Sequence, residues 1–537
     1  VSLEDALFKA LLLGTFALLS IQQSTTGRLE IIVHDANTRE GVPGVPVTVT
    51  FKFPDEPAGP STTLVTDPRG LAVFSALGEG MYRIKLGEEY RALPFTDYIL
   101  LDPGDQKHLD LAVNRIANVS VRVLDQNGQP LKNALVTLPQ LTYVNGRRTL
   151  RESQGIVHND DGDGTYRLTG VPSGEYFVRI EQEELPAGAR EGPPRIAYYP
   201  GVRDFADASP VVVRGDELLL GEVRLPLQPV FKISGTVVNP QPEKPMPITW
   251  FSITPADSIE PATDPRMRYT AASDAHEVSF EFNGLSPGTY VLYPATILSE
   301  AGTFTNRTVV TVEDRDIEDL RIVLKPRASV KARVTTHGEV ANNPDTLKFG
   351  LVPMDPLPPI LYDAKSVLSY EPDPQTGELQ LWGLVEGVRY AFSVSGLPED
   401  AYIADIRTAN LSILSDGSFV VESSQEAIEI QLEEQGGVVQ GVARDAAGQP
   451  VANASVLLAP DFAKRKNALL YKRTITNSAG QFSVRGLSPG DYQLFAWPSP
   501  APGAEEDPAF LEPFESRSTS VRAYAGVTTE ADPRVIQ

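Results

Sequence analysis

The residues whose types and spacing suit chemistry are few. Asn159, Asp161 and Asp163, followed by Gly164, spell N-x-D-x-D-G, which sets oxygen ligands at alternate positions before a sharp bend, as a Ca²⁺ loop opens. The twelfth position of such a loop needs a bidentate acid and here holds Gly170, so the EF-hand pattern fails. The same stretch reads equally as a plain turn, where Asp and Gly serve the backbone. A bound Ca²⁺ and an empty turn both remain open, and no other cofactor is expected. The five histidines, His34, His108, His158, His276 and His337, are scattered, and none has Glu three residues on. No G-x-S-x-G elbow, phosphate-binding loop or dinucleotide fingerprint occurs. With Cys 0, disulfide scaffolds, Cys-ligated zinc, iron–sulfur clusters and thiol catalysis are excluded.

Three aromatic residues are candidates for ligand contact, because exposed aromatics commonly meet glycans and protein partners. Tyr198 and Tyr199 precede Pro200-Gly201, and Trp497 heads the Pro/Glu-rich segment Pro498–Pro513. The alternative is that they pin long loops to a sheet. In the run Tyr492-Gln493-Leu494-Phe495-Ala496-Trp497, alternation places Tyr492, Leu494 and Ala496 on one face and Phe495 and Trp497 on the other. If the first face is core, the second needs a cover, which Phe510, Leu511 and Phe514 can provide. Trp382 falls inside an alternating run and reads as structural. Arg214-Gly215-Asp216 spells an integrin-binding tripeptide but sits where a turn is expected.

The elements that must position these residues are bounded by composition. The chain has 537 residues, of which 41% are hydrophobic and 22% charged, enough for packed cores and too much for wholesale disorder. Lys+Arg 47 against Asp+Glu 70 gives a net charge of −23, which disfavours nucleic-acid partners. Ala10 to Ile21 form an uncharged apolar run preceded by Lys9, too short for a membrane helix of about 20 residues and suited to the core of an export signal. Residues 1–26 are therefore expected to direct export, although Glu4 and Asp5 make the leading segment acidic and no A-x-A cleavage site follows. No later segment is long or apolar enough to span a bilayer, so no membrane span is expected in the mature chain.

One pattern fills the rest. A turn with Asp or Asn and Gly is followed by alternating apolar residues, a Gly-Leu-x-x-Gly turn and another alternating run. It occurs at Thr66–Leu86, Asn159–Ile180, Ser273–Tyr293, Asp373–Val394 and Thr476–Ala496, with a period of roughly 100 residues. A period that long means tandem domains with their own cores. Each copy is expected to hold this second hairpin, an opening hairpin such as Gly437–Pro460 or Val119–Leu138, and a closing strand such as Leu218–Leu227, Asp316–Pro326 or Ala427–Glu434. Gly486 is expected to end the first strand of its hairpin. Seven short strands per copy argue for antiparallel β-sandwiches.

These residues resemble the carboxypeptidase regulatory-like domain, a transthyretin-like sandwich. The matching signature is G-x-V-x-D-x-x-G-x-P-[LV]-x-x-A-x-V followed by [TND]-x-x-G-x-[FY]-x-[LVF]-x-G-[LV]-x-x-G-x-Y. The copies ending at Ile180 and Ala496 follow it nearly throughout. Ala197–Glu217 and Leu494–Ser518 are similar to stretches of acidobacterial-type secreted proteins. The resemblance implies an all-β fold of five tandem antiparallel sandwich domains, transthyretin-like or Ig-like, after a short hydrophobic N-terminal segment. The expected domains are 27–114, 115–228, 229–326, 327–434 and 435–537. In metallocarboxypeptidases the sandwich follows a zinc peptidase domain, for which this chain has neither the His-Glu pair nor the residues to spare. Related bacterial sandwiches carry Lys–Asn crosslinks, and Lys232 and Lys331 stand in first strands where such a Lys would sit. The expected function is non-enzymatic: an exported structural, adhesive or scaffold protein. The alternative is a carbohydrate- or peptide-binding module assisting a separate hydrolase, with a glycan or cell-surface protein as partner.

Overall fold

A computed structural model describes residues 26–36, 39–52, 59–92, 98–131, 134–144, 146–151, 156–158, 162–182, 188–193, 196–241, 243, 250–259, 276–299, 302–336, 347–358, 361, 368–373, 376–422, 427–498 and 503–536. The expected export segment lies almost wholly outside them. Among the described residues no helix is long and apolar enough to cross a membrane.

Period-two burial builds the strands. In Gln481–Leu487, Phe482, Val484 and Leu487 are buried while Ser483 and Arg485 are exposed. A strand with one apolar face needs a second apolar face opposite it. In the last copy, one sheet runs Gln481–Leu487, Gly437–Val442, Thr528–Glu530. The other runs Lys472–Ile475, Ser455–Pro460, Gly490–Trp497, Thr519–Ala523. Between them lies a cluster that includes Val439, Val456, Leu458, Val484, Tyr492 and Leu494.

Both expected hairpins are therefore corrected. Gly437–Val442 pairs with Gln481–Leu487, and Ser455–Pro460 pairs with Gly490–Trp497. The turn at Asp445–Gly448 is local, its Asp445 side chain accepting from the Ala447 and Gln449 amides, and the chain then crosses to the other sheet. The Ser488–Gly490 turn makes the second crossing. Alternation states which face is apolar but not which strand lies alongside, and crossing lets two apolar faces meet. The sandwiches are all-β with mainly antiparallel sheets, as expected, and one pairing in them is parallel. The first strand runs parallel to the closing strand in four copies, for example Val438 beside Thr528 and Ala332 beside Ile428. Parallel neighbours need a long connection, which the intervening strands supply.

The chain falls into two compact units, one comprising residues up to Arg122 with Gln154–Glu175 and Val211–Glu222, the other the remainder. In the first, Gly27–Asp35 lies between Leu71–Leu77 and Gln106–Asp125, and Pro46–Lys52 lies between Ser61–Val65 and Gly80–Leu86. Leu29, Ile31, Val33, Val47, Phe74 and Ile84 lie in their shared core. Gln106–Asp125 is a single strand of 20 residues. Its start pairs in parallel with Gly27–Asp35, and residues from Ile116 to Arg122 pair antiparallel with Thr165–Pro172. The second unit holds the sheets of the last three copies and the three-strand sheet Ile196–Tyr198, Arg179–Gln182, Ala134–Thr137.

A β-bulge recurs at the same place in all five copies. Leu77, Val171, Leu285, Leu384 and Leu487 each follow a register shift against the first strand. The residue before each has positive φ: Ala76 (62), Gly170 (69), Gly284 (72), Gly383 (77) and Gly486 (64). Gly486 thus bends its strand without ending it. The left-handed conformation costs a non-glycine residue about 1–2 kcal/mol, against about 0.5–1 kcal/mol of extra chain entropy lost by glycine. Ala76→Gly is therefore expected to stabilise the first unit by about 0.5–1 kcal/mol, read as a higher denaturant midpoint with an unchanged slope. A lower midpoint would show that the Ala76 methyl contributes more than its strain costs.

Candidate functional site

Trp497 is 5% exposed and lies among Phe495, Leu511, Tyr471 and Ile536, with Phe510 and Phe514 packed against them. Its ring stacks on Phe495 at 5.3 Å and 7° and meets Phe510 at 5.9 Å and Phe514 at 5.8 Å. The strand supplies Phe495 and Trp497 on the face opposite the sandwich core, as alternation requires. The Pro/Glu-rich segment supplies the cover through short helical turns at Ala504–Glu506, Pro508–Leu511 and Glu512–Arg517. Asp507 caps the middle turn by accepting from the Ala509 amide. With its faces occupied, Trp497 does not present a ring to a ligand.

Charged groups fasten this cover. Arg465, buried beneath it, holds Glu515 through both terminal guanidinium nitrogens and donates from Nε to the Pro460 carbonyl at 3.1 Å. Arg473 meets buried Glu505 at 3.1 Å. Asp507 accepts from Arg148 Nε at 2.9 Å, joining the second copy to the fifth within one unit. Burial pushes the Glu506 carboxyl above its usual range and the Lys472 ammonium below its own. The fastenings are paired acids and bases without a nucleophile poised beside a base.

Tyr198 is also buried, edge-on to Phe205 at 5.4 Å, in a cluster with Leu150 and Phe177. Tyr199 is half-buried beside exposed Pro200. The structure therefore does not gather Tyr198, Tyr199 and Trp497 into an open surface. Asn159 and Asp161 lie outside the described residues. Asp163 is exposed, and hydrogen bonds from the Thr165 side chain and from the Thr165 amide, the latter at 2.9 Å, hold its carboxyl below the usual carboxylate range. Among the described residues no group of three or more His, Asp or Glu stands close enough to hold a metal ion. Lys232 pairs with Glu318 at 2.9 Å and Lys331 is exposed, so neither is buried as a crosslinking lysine would be. Arg214-Gly215-Asp216 forms the bend before Leu218–Leu225.

Trp382, read from the sequence as structural, is 62% exposed on the outer face of Glu378–Leu384. It occupies the bulge position immediately before Gly383. The corresponding positions in the other copies hold Ser75, Thr169, Asn283 and Arg485. Setting the five copies in register exposes this difference; the alternation of a single strand does not.

The fifth copy contains the deciding segment. Residues 438–507 match the carboxypeptidase regulatory-like domain. This regulatory-like segment runs from the first strand of the copy through Trp497 to Asp507, so it includes the start of the loop that covers the indole. A comparison with curated proteins finds no match. Among solved structures, GBS52, the minor pilin of Streptococcus agalactiae, is 14% identical, with 38% of this chain and 97% of that chain covered and a TM-score of 0.18. The Bacillus anthracis TIE protein is 11% identical, with 85% and 70% covered and a TM-score of 0.15. The full-length RrgB pilus protein of Streptococcus pneumoniae is 9% identical, with 96% and 99% covered and a TM-score of 0.14. At such scores these likenesses carry no weight for function.

Proposed function

We propose that the chain is a non-catalytic structural or scaffold protein of the cell exterior, built from five sandwich domains divided near residues 114, 228, 326 and 434. The observation that carries this reading is how the copies are joined. In the second unit, Val230 alone separates the strands Gln228–Pro229 and Phe231–Val238, and Arg327 alone separates Lys325–Pro326 and Ala328–Thr336. Side chains cross the joints: Arg190 to Asp316 at 2.7 Å, Lys325 to Glu386 at 3.0 Å, and Asn467 to the Leu414 carbonyl at 2.7 Å. Tyr293 and Val291 of the third copy share one apolar cluster with Phe349, Leu351 and Tyr390 of the fourth. Short, bonded joints resist bending, which suits a part that holds position or bears load.

The test has two arms. The purified full chain should show no peptidase or esterase turnover above buffer, with or without added Zn²⁺. Antibody labelling of intact producing cells should reach the protein. Hydrolysis that survives stringent purification and is abolished by a chelator, or a protein confined to the cytosolic fraction, overturns the reading.

A further inference from the structure

We propose that Asn127 is a site of spontaneous covalent modification, at which the side-chain amide closes on the Gly128 nitrogen and reopens as aspartate or isoaspartate. This chemistry is separate from a scaffold role and does not rest on it.

The reacting atoms are neighbours in the chain. The Gly128 amide nitrogen loses its proton to hydroxide and attacks Cγ of Asn127. A C–N bond forms, the side-chain nitrogen takes a proton from water and leaves as ammonia, and a five-membered succinimide remains. Water then opens the ring at one of its two carbonyls. Opening at Cγ leaves an aspartate; opening at the main-chain carbonyl leaves an isoaspartate, in which the chain runs through Cβ and Cγ. The sum is one water consumed and one ammonia released. Glycine as the following residue puts no side chain in the way of the attack.

The structure separates this Asn-Gly pair from the others. Three occur in the sequence, Asn127-Gly128, Asn145-Gly146 and Asn283-Gly284, and Asn145 lies outside the described residues. Asn283 stands within Glu277–Leu285 and donates from Nδ2 to Glu281 Oε1 at 2.9 Å, while Gly284 is buried in the bulge against the first strand. Burial keeps hydroxide and water from the Gly284 nitrogen. Asn127 is exposed, Gly128 is half-buried, and both lie between strands. A Cβ built on Gly128 would meet nothing within 4 Å.

The fold does not call for asparagine here. Asp125-Gln126-Asn127-Gly128-Gln129-Pro130 has a twin in Asp445-Ala446-Ala447-Gly448-Gln449-Pro450. In the first turn the Asp125 carboxylate accepts from the Asn127 and Gln129 amides, each at 2.8 Å, and in the second Asp445 accepts from Ala447 at 2.9 Å and Gln449 at 2.8 Å. The glycine amide donates to the Asp carbonyl at 3.1 Å in both, with φ of 78 and 81. The turn thus needs its glycine and its leading aspartate, and alanine serves where Asn127 stands. Isoaspartate would add a main-chain carbon between the two amides that Asp125 gathers, so one of those hydrogen bonds must give way.

The full chain, held in warm, mildly alkaline buffer and sampled over time, tests this by peptide mapping with mass spectrometry. Digestion in heavy-oxygen water marks any ring opened during work-up, so that only unmarked product counts. The peptide containing Asn127 should gain one dalton and divide into two chromatographic forms, the Asn283 peptide should stay unchanged, and the intact protein should shift to a more acidic form on ion exchange. In denaturant both asparagines should react. Asn127→Ala should abolish the change in this turn at an unaltered melting temperature. Ala447→Asn should create a second reactive site in the twin turn. An Asn127 that stays intact while the denatured chain reacts to completion, an Asn283 that reacts as fast in the folded chain, or an inert Ala447→Asn turn overturns the proposal.

Discussion

Replacing Trp497 by alanine should lower the stability of the fifth copy by about 3–5 kcal/mol, the usual cost of deleting a buried aromatic. The indole is the hub on which Phe495, Phe510 and Phe514 converge, each ring centroid within 6 Å of its own. Without it, the segment between Gly503 and Arg517 loses its main apolar contact. Its short helical turns are too brief to persist alone. The variant should therefore show a lower denaturant midpoint and a new tryptic cut at Arg517, within the cover. Trp497→Phe should cost less. It keeps a ring in place and removes an indole N–H that has no hydrogen-bond partner among the described residues, a group whose burial unpaired costs about 1–3 kcal/mol. Equal losses for both variants would show that the shape of the indole, and not aromatic cover in general, holds the loop.

Tyr293→Ala should destabilise by a similar margin, about 3–5 kcal/mol, with a different signature. Tyr293 is fully buried and belongs to the apolar cluster centred on the fourth copy, although its strand, Gly288–Ser299, is part of the third. Its loss should uncouple the two copies, so that calorimetry resolves two transitions where the parent gives one for this pair. Phe251→Ala removes a ring buried within the third copy's own core. That variant should lower the shared transition without splitting it. Identical traces for the two variants would mean that the joint transmits no stability from one copy to the next.

The sequence made the strands legible because burial on one face imposes a period of two, and Phe482, Val484 and Leu487 follow it residue by residue. The side on which Trp497 lies was legible for the same reason, and the need for a cover followed from leaving two large rings opposite the core. The partner of each strand was not legible. A turn such as Asp445–Gly448 has the same local chemistry whether the chain folds back beside itself or crosses to the facing sheet. The choice depends on apolar faces distant in sequence. Arg148 and Asp507 meet across a separation of 359 residues, which no local pattern encodes. The outward placement of Trp382 was legible too, since Leu379 and Leu381 are buried and alternate with exposed Glu378, Gln380 and Trp382. Of the three candidate cation ligands only Asp163 is described, and its carboxylate accepts from the Thr165 amide.

The unbroken strand Gln106–Asp125 has a mechanical consequence. Where two domains are joined by a tether, tension is taken up first by straightening the tether, and each domain then yields separately. Here the segment carrying tension out of the first copy is itself a member of both ladders, parallel to Gly27–Asp35 at its start and antiparallel to Thr165–Pro172 toward its end. A pull along its axis acts across rows of inter-strand hydrogen bonds side by side, so they must fail together in shear instead of opening one after another like a zipper. Slack is absent from the joint, and so is the exposed, extendable stretch that a protease would grip.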